Sequence, residues 1–74
     1  MKLDKLMTRI YLCQDVRIID GFADTIVYEG KVASYFLNGY GSKYGKCVVC
    51  AISTEGEKII IRLKGANNEQ KRTD

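Results

Sequence analysis

The first ten residues place apolar side chains at the spacing of an amphipathic helix. Leu3, Leu6, Met7 and Ile10 are spaced i, i+3, i+4 and i+7, and the positions between them are mainly charged or hydroxyl-bearing. This spacing puts the apolar side chains on one face of a helix. Two to three turns are too short to be stable alone in water. The sequence therefore predicts a short N-terminal helix that packs on another apolar surface.

Two pairs of strand-like segments follow the helix. Asp15–Asp20 and Thr25–Glu29 are rich in β-branched residues and are joined by a turn at 21–24, which predicts a first hairpin. Lys46–Ser53 and Lys58–Lys64 are also strongly β-forming and predict a second hairpin with a tight turn. The chain is therefore expected to be mainly β.

A connector joins the two hairpins. Lys31–Leu37 has helical spacing and precedes Asn38-Gly39, a typical helix stop, so it predicts one or two helical turns. Four or five short antiparallel strands in 74 residues favour a small, partly open SH3-like barrel, with the N-terminal helix over its open end. Residues 1–64 form this single domain. The polar stretch 65–74 has no large apolar residue and predicts a disordered tail.

One apolar residue in the last strand faces away from the predicted core. If Ile59, Ile61 and Leu63 point inward, Ile60 points outward between charged neighbours. Two explanations remain open. Either the N-terminal helix lies on Ile60, or Ile60 lies in an interface between copies of the chain, which would stabilise so small a domain.

The sequences of these predicted strands resemble those of a known class of proteins. The Asp15–Asp20 strand with its Val16 and Ile18, the run IVYEGKV at 26–32 and the final hairpin resemble short proteins encoded by bacteriophages and mobile elements. The resemblance covers about residues 3–64. It implies an SH3-like barrel and an accessory role, including that of an anti-CRISPR-like inhibitor of a bacterial defence system. It implies no catalytic residues. Segment 38–45 is longer and richer in glycine than in that class, which suggests that the particular function lies there.

Composition limits the chemistry and the location. The chain has three cysteines, no histidine and no tryptophan, so the commonest general base and metal ligand is absent. The N-terminus lacks the pattern of an export signal, and no apolar run approaches a membrane span. These features predict a reduced, cytoplasmic protein, and the resemblance implies that the cytoplasm is that of a bacterial host. The net charge of +3 is spread among acidic residues rather than clustered, which argues against nucleic acid as the partner.

The stretch Asn38–Lys46 (NGYGSKYGK) contains the most distinctive residues of the chain. A P-loop would require glycine in place of Tyr40 and Ser or Thr in place of Cys47, followed by a helix rather than a strand. A flexible connector and a recognition loop both remain open. In the second interpretation, tyrosines supply rigid contact area and lysines attract anions. The candidate binding residues are Tyr40, Ser42, Lys43, Tyr44, Lys46 and Arg62.

Other candidate sites favour structural interpretations. The thiols of Cys47 and Cys50 lie three residues apart in a predicted strand, so they point to opposite faces. A zinc site needs about four ligands, and only one further cysteine is present. We therefore expect no metal or cofactor, and cysteines that act as small buried apolar residues. The carboxylates of the first hairpin lie at strand ends and turns, where they bond to local backbone, so no catalytic role is expected.

Three functions follow from the candidate residues. The first is a non-enzymatic inhibitor that binds and blocks a host protein through the 38–46 loop. The second is an oligomeric sponge that holds a nucleotide-like anion with Lys43, Lys46 and Arg62. The third is a weak nucleic-acid-binding module that uses the tyrosines. For the first, replacing Tyr40 and Tyr44 with alanine is expected to abolish binding and to leave the fold intact.

Overall fold

Short helices and a single sheet make up the computed structural model, which describes residues 1–64. In chain order the elements are α1 (Leu3–Met7), β1 (Asp15–Asp20), β2 (Thr25–Lys31), α2 (Val32–Leu37), α3 (Tyr40–Tyr44), β3 (Val49–Glu55) and β4 (Lys58–Leu63). The predicted strands and the connector helix are thus present, with the bounds of β1 as predicted and those of the others shifted. The predicted disordered tail lies outside the described residues.

The four strands form an open mixed sheet in the order β2-β1-β4-β3. Both predicted hairpins are antiparallel pairs, but β1 and β4 run parallel at the centre of the sheet. The chain between β2 and β3 crosses over through α2 and α3, so β4 returns beside β1 in the same direction. Parallel neighbours require such a crossover. The sheet is not closed into a barrel, and the predicted antiparallel SH3-like barrel is therefore not confirmed.

The core lies between one face of the sheet and the helices. Because successive side chains of a strand point to opposite faces, every second side chain of β1 and β4 lies on this face. The core residues are Leu3, Met7, Val16, Ile18, Tyr28, Val32, Tyr35, Cys47, Ile61 and Leu63. All are buried, and they come from both central strands, from β2 and from the helical segments. The molecule is thus a two-layer structure in which helices cover a single face of the sheet.

The N-terminal helix is shorter than its apolar spacing predicts. It ends at Met7. The Thr8 N–H still bonds four residues back, to Asp4, but those of Arg9 and Ile10 bond only three residues back, to Leu6 and Met7. The Thr8 hydroxyl also donates to the Lys5 carbonyl at 2.8 Å. These bonds tighten the last turn and end the helix. Leu3 and Met7 are buried, and Leu6 and Ile10 are half-buried against the core, so the apolar pattern correctly identified the side of this segment that packs.

Ile60 lies on the open face of the sheet, as predicted. Its neighbours in register are Arg17 on β1 and Ser53 on β3. The N-terminal helix packs on the opposite face, where Leu3 and Met7 join the core. The expectation that this helix covers Ile60 is therefore wrong. The expected interface between copies stays a prediction.

Ion pairs cover much of the open face. Arg17 bonds to Glu29 at 3.1 Å and to Glu55 at 3.0 Å, and Lys58 also bonds to Glu29. The hydrogen bonds from Lys58 and Arg17 hold the pKa of Glu29 below its usual value. Exposed pairs of this kind stabilise a fold only weakly. Their main consequence is that the charges of this face largely neutralise one another.

Candidate functional site

The segment predicted as a loop at 38–46 is mostly helical. Asn38 and Gly39 end α2, and Gly39 adopts a left-handed conformation with φ of 76° that redirects the chain. Helix α3 begins at once, and the Ser42 hydroxyl donates to the Gly39 carbonyl at 2.9 Å. The predicted helix stop is confirmed. The expectation of an irregular loop is therefore wrong, whereas the choice between a connector and a recognition segment stays untested.

The two tyrosines of α3 belong to an aromatic cluster. The Tyr40 ring centroid lies 4.7 Å from that of Tyr28, 6.2 Å from that of Tyr35 and 6.4 Å from that of Tyr44. Both α3 rings are half-buried and pack against the core. The expectation that they project freely into solvent is therefore wrong, because ring stacking and core contact hold them against the protein.

Replacing Tyr40 and Tyr44 together with alanine is consequently expected to destabilise the fold. Aromatic pairs contribute about 0.5–1.5 kcal/mol each beyond the area they bury, so we expect a loss of about 2 kcal/mol or more. Urea denaturation followed by circular dichroism measures it. Tyr11→Ala is the control, because Tyr11 is 80% exposed and its loss should change stability by less than about 0.5 kcal/mol. Equal midpoints for the double variant and wild type would contradict this packing.

Two glycines of the 38–46 segment allow α1 to approach α3 closely. The N–H of Asp4 donates to the Gly45 carbonyl at 2.9 Å, and the N–H of Leu3 donates to the Cys47 carbonyl at 2.9 Å. A Cβ on Gly45 would overlap the Asp4 carboxylate, and one on Gly41 would lie 3.1 Å from Asp4 Oδ1. The glycines therefore serve helix packing, in place of the phosphate cradle that their number first suggested.

A polar contact joins α1 to the buried aromatic ring of α2. The Tyr35 hydroxyl donates to Asp4 Oδ1 at 3.3 Å. Burial raises the pKa of Tyr35 well above its usual value, and the negative charge and hydrogen bond of Asp4 raise this pKa further. The phenol therefore stays protonated as a donor. This contact fixes the relative positions of α1 and α2.

A surface groove runs between α1 and the α2–α3 segment, and we call it the α1–α3 groove. It is lined by Asp4, Lys5, Thr8, Phe36, Gly39, Gly41 and Ser42. Phe36 supplies an exposed apolar edge, and Leu37 beside it is 84% exposed. A second depression, lined by residues 8–13, meets the groove at Thr8 and contains the exposed Leu12. This part of the surface thus combines two shallow depressions with uncovered apolar side chains.

Cations without ion pairs surround the helices. Those in or next to the helical segments are Lys2, Lys5, Arg9, Lys43 and Lys46. None of them forms an ion pair within residues 1–64, whereas every cation that does form one lies in a strand. The only acid in segments 1–14 and 32–48 is Asp4, which faces α3. The helical side is therefore basic, and the sheet side is largely neutralised.

The structure divides the predicted binding residues between the two faces of the sheet. Ser42, Lys43 and Lys46 are exposed in or beside α3, with the Lys43 ammonium 5.5 Å from the Tyr44 ring centroid. Arg62 lies on the open face, where it bonds to Asp24 at 3.1 Å. Within one protomer, Arg62 therefore does not join the lysines of α3.

Sequence reasoning missed the half of the groove that α1 supplies. Lys5 and Phe36 line it together with Ser42, although these residues lie far apart along the chain. The signal that was available is the four-residue spacing of Gly41 and Gly45, which places both glycines on one side of a helical turn. That spacing indicates a closely packed partner element but does not identify it.

The cysteines only partly follow the sequence expectation. Cys47 is 5% exposed and belongs to the core, but Cys13 and Cys50 are exposed. Strand β3 begins at Val49, so Cys47 precedes it and Cys50 lies at its bulge. The expectation that the thiols of Cys47 and Cys50 are buried is therefore confirmed for Cys47 and wrong for Cys50.

The residues that the structure describes show no larger site of a recognised kind. In segment 1–64, no three side chains of the metal-binding types are grouped to hold an ion. No helix of this segment is long and apolar enough to cross a membrane. No family model, no curated protein and no solved structure matches the chain.

Proposed function

We propose that the chain is a non-enzymatic binding protein. It binds a partner protein through the α1–α3 groove and thereby covers part of the partner's surface. The supporting observation is that the groove joins an exposed apolar side chain to a cation that forms no ion pair within residues 1–64. Leu37 is 84% exposed and Phe36 is 38% exposed, and Lys5 lines the same groove as Phe36. A partner surface that combines apolar and acidic residues is complementary to this arrangement.

The aromatic geometry favours a protein over a nucleic acid as the partner. A platform for unpaired bases needs ring faces that are open for stacking. Tyr40 and Tyr44 instead stack on one another at 6.4 Å and are half-buried. Leu37 offers aliphatic surface, which gains nothing from a phosphate backbone. The experiment below distinguishes nucleic-acid binding from protein binding.

The biological setting that we propose comes from the sequence resemblance. That resemblance supports an accessory protein of bacteriophage or mobile-element origin, acting on a host protein in the bacterial cytoplasm, as an anti-CRISPR-like inhibitor does. Inhibition by occupancy requires no reactive group, because a bound protein blocks the surface that it covers. A groove with an exposed apolar edge, on the basic helical side of a small domain, supports this mode of action.

The proposal is tested by capture from a bacterial lysate and by measurement with the purified partner. Leu37→Glu and Lys5→Glu are each expected to weaken binding at least tenfold, since one adds a charge to the apolar contact and the other reverses a charge facing an acidic partner. Phe22→Glu is the matched control, because Phe22 is also exposed, at 73%, but lies in the β1–β2 turn. It should bind as wild type does. Biolayer interferometry gives the dissociation constants.

Two results would overturn the proposal. One is a partner whose affinity is unchanged by both Leu37→Glu and Lys5→Glu. The other is binding that disappears after nuclease treatment and depends steeply on salt, which identifies nucleic acid as the ligand. Circular dichroism of each variant verifies that lost binding does not reflect lost structure.

A further inference from the structure

Strand β3 forms a long and largely uncovered edge of the sheet. It pairs with β4 on one side only, and every residue after Val49 is exposed. Its sequence VCAIST at 49–54 carries no charge and no proline. Natural sheets usually protect such edges with lysine, proline, bulges or covering segments, because unpaired N–H and C=O groups are a template for another strand.

Protection is present at the beginning of β3 but not further along it. The Val49 N–H donates to the Met1 carbonyl at 2.8 Å, and Lys2 forms an isolated bridge with Val48. A register shift between Val49 and Ala51 adds a bulge. In the described part of the chain, nothing equivalent covers the edge from Ala51 onward. An added strand therefore has a defined place to pair.

The exposed edge also interrupts an apolar row on the core face of the sheet. Across the strands, Tyr28 pairs with Ile18, Ile18 with Ile61, and Ile61 with Ile52. The first three side chains of this row are buried, but Ile52 is 53% exposed. A neighbouring strand that presents an apolar residue opposite Ile52 would extend the row and remove this side chain from water.

We propose that β3 pairs with β3 of a second copy, antiparallel, about a twofold axis at Ile52. In this register Ile52 faces Ile52 of the second copy, and Ala51 faces Ser53. Glu55, the only charged residue of β3, lies three residues from the axis. The two Glu55 side chains are then separated by roughly 20 Å along the strands. Pairing of two parallel β3 strands in register would instead place like charges side by side.

Self-complementarity favours a second copy over a foreign peptide as the occupant. A twofold interface places the same residues on both sides, and the strand supplies an apolar residue at the axis with small uncharged neighbours. The result is a continuous eight-stranded sheet. This interface uses β3 and leaves the α1–α3 groove of each copy uncovered, so the inference does not depend on the proposed function.

Solution mass is the first test. We expect sedimentation equilibrium to show a species of twice the 8.4 kDa chain mass, in balance with monomer over micromolar to millimolar concentrations. Ile52→Lys is expected to be monomeric throughout, whereas Leu37→Lys, which alters another exposed apolar residue on α2, should dimerise as wild type does. A wild-type chain that stays monomeric at millimolar concentration, including one whose edge binds only foreign peptides, overturns the proposal. So does a dimer that persists in Ile52→Lys.

Crosslinking tests the register. In a background that carries Cys13→Ser and Cys50→Ser, Ile52→Cys places one thiol of each copy at the axis, so mild oxidation should give a covalent dimer. Thr54→Cys is the matched control on the same face of the same strand. Its two thiols would lie roughly 14 Å apart, too far for a disulfide, and little dimer should form. Equal crosslinking of both variants, or preferential crosslinking of Thr54→Cys, overturns the register.

Discussion

Tyr35→Ala is expected to leave the domain mostly unfolded at 25 °C. Tyr35 is fully buried, and its ring lies 5.9 Å from Tyr28 and 5.1 Å from Phe36, measured between centroids. Removing a buried aromatic side chain costs about 3–5 kcal/mol. A core in a domain of this size rarely supplies more than about 3–5 kcal/mol of net stability. The loss is therefore comparable to the whole free energy of unfolding.

Tyr35→Phe is the matched variant, because it keeps the ring and removes the hydroxyl that bonds to Asp4 at 3.3 Å. We expect it to remain folded and to lose about 1 kcal/mol. Far-ultraviolet circular dichroism and urea titrations at 25 °C measure both variants. A cooperative urea transition for Tyr35→Ala, with a midpoint near that of wild type, would show that this ring does not hold the helices on the sheet.

The same pair of proteins gives an expected pH dependence. The pKa of Tyr35 is higher in the folded state than its ordinary value near 10. Below about pH 10 this difference has no effect on the free energy of unfolding. Above about pH 10 the free energy of unfolding falls with rising pH, because the unfolded chain releases the Tyr35 proton and the folded chain does not. Wild type should therefore lose more stability than Tyr35→Phe between about pH 10 and pH 11.

Strands were predictable from the sequence because their signals are local. The bounds of β1 agree with its β-branched alternation, and both hairpins follow from turn residues between such runs. The parallel pairing of β1 with β4 joins residues more than 40 positions apart, such as Val16 and Ile59. No local pattern encodes that contact. The open sheet was therefore missed, although its strands were found.

Helix α3 was missed for a different physical reason. Its sequence, YGSKY, contains an interior glycine, which disfavours a helix by about 1 kcal/mol relative to alanine. Five residues are also too few for a stable isolated helix. The helix forms because Tyr40 packs on Tyr28 and because α1 lies against its glycine face. Tertiary contacts thus override the local preference for a loop.

The candidate site shows the same limit. Lys43 and Ser42 were identified from composition, since tyrosines, glycines and lysines concentrate in one short segment. The groove nevertheless requires Lys5 and Phe36, which other elements bring into place. The clustering of basic residues was not visible in the sequence either. Those near α1 and those near α3 are far apart along the chain, but they share the helical side of the fold. The α1–α3 groove and the cations around it are therefore defined by contacts between elements that are distant in sequence.

This surface depends on how closely α1 and α3 approach each other, and Gly45→Ala is expected to separate them. Gly45 is buried and has an ordinary helical backbone, with φ of −61° and ψ of −26°. The cost of a methyl group there is consequently steric rather than conformational. The added Cβ would overlap both the Asp4 carboxylate and the Gly41 carbonyl oxygen. Overpacking of this kind costs about 1–3 kcal/mol.

Gly41→Ala is the matched control, one helical turn away on the same helix. Its Cβ would lie 3.1 Å from Asp4 Oδ1, an atom at the far end of a side chain that can rotate away. Alanine also favours a helix interior by about 0.5–1 kcal/mol over glycine, which offsets the contact. We therefore expect Gly41→Ala to remain within about 0.5 kcal/mol of wild type in urea denaturation, with Gly45→Ala clearly lower.

A second substitution shows which of the two overlaps dominates in Gly45→Ala. Asp4→Ala removes the carboxylate, and with it the hydrogen bond from Tyr35, but leaves the Gly41 carbonyl. Asp4→Ala alone is therefore the reference, and against it Gly45→Ala should cost only part of what it costs in wild type. No remaining cost would assign the whole overlap to Asp4. If Gly45→Ala alone is as stable as wild type, α1 does not lie against α3 at this distance, and the groove between them has a different shape. Because backbone atoms of Gly41 cannot rotate away as a side chain can, we expect part of the cost to remain. The helices are then held apart, which should lower the affinity of the groove for the partner that we propose.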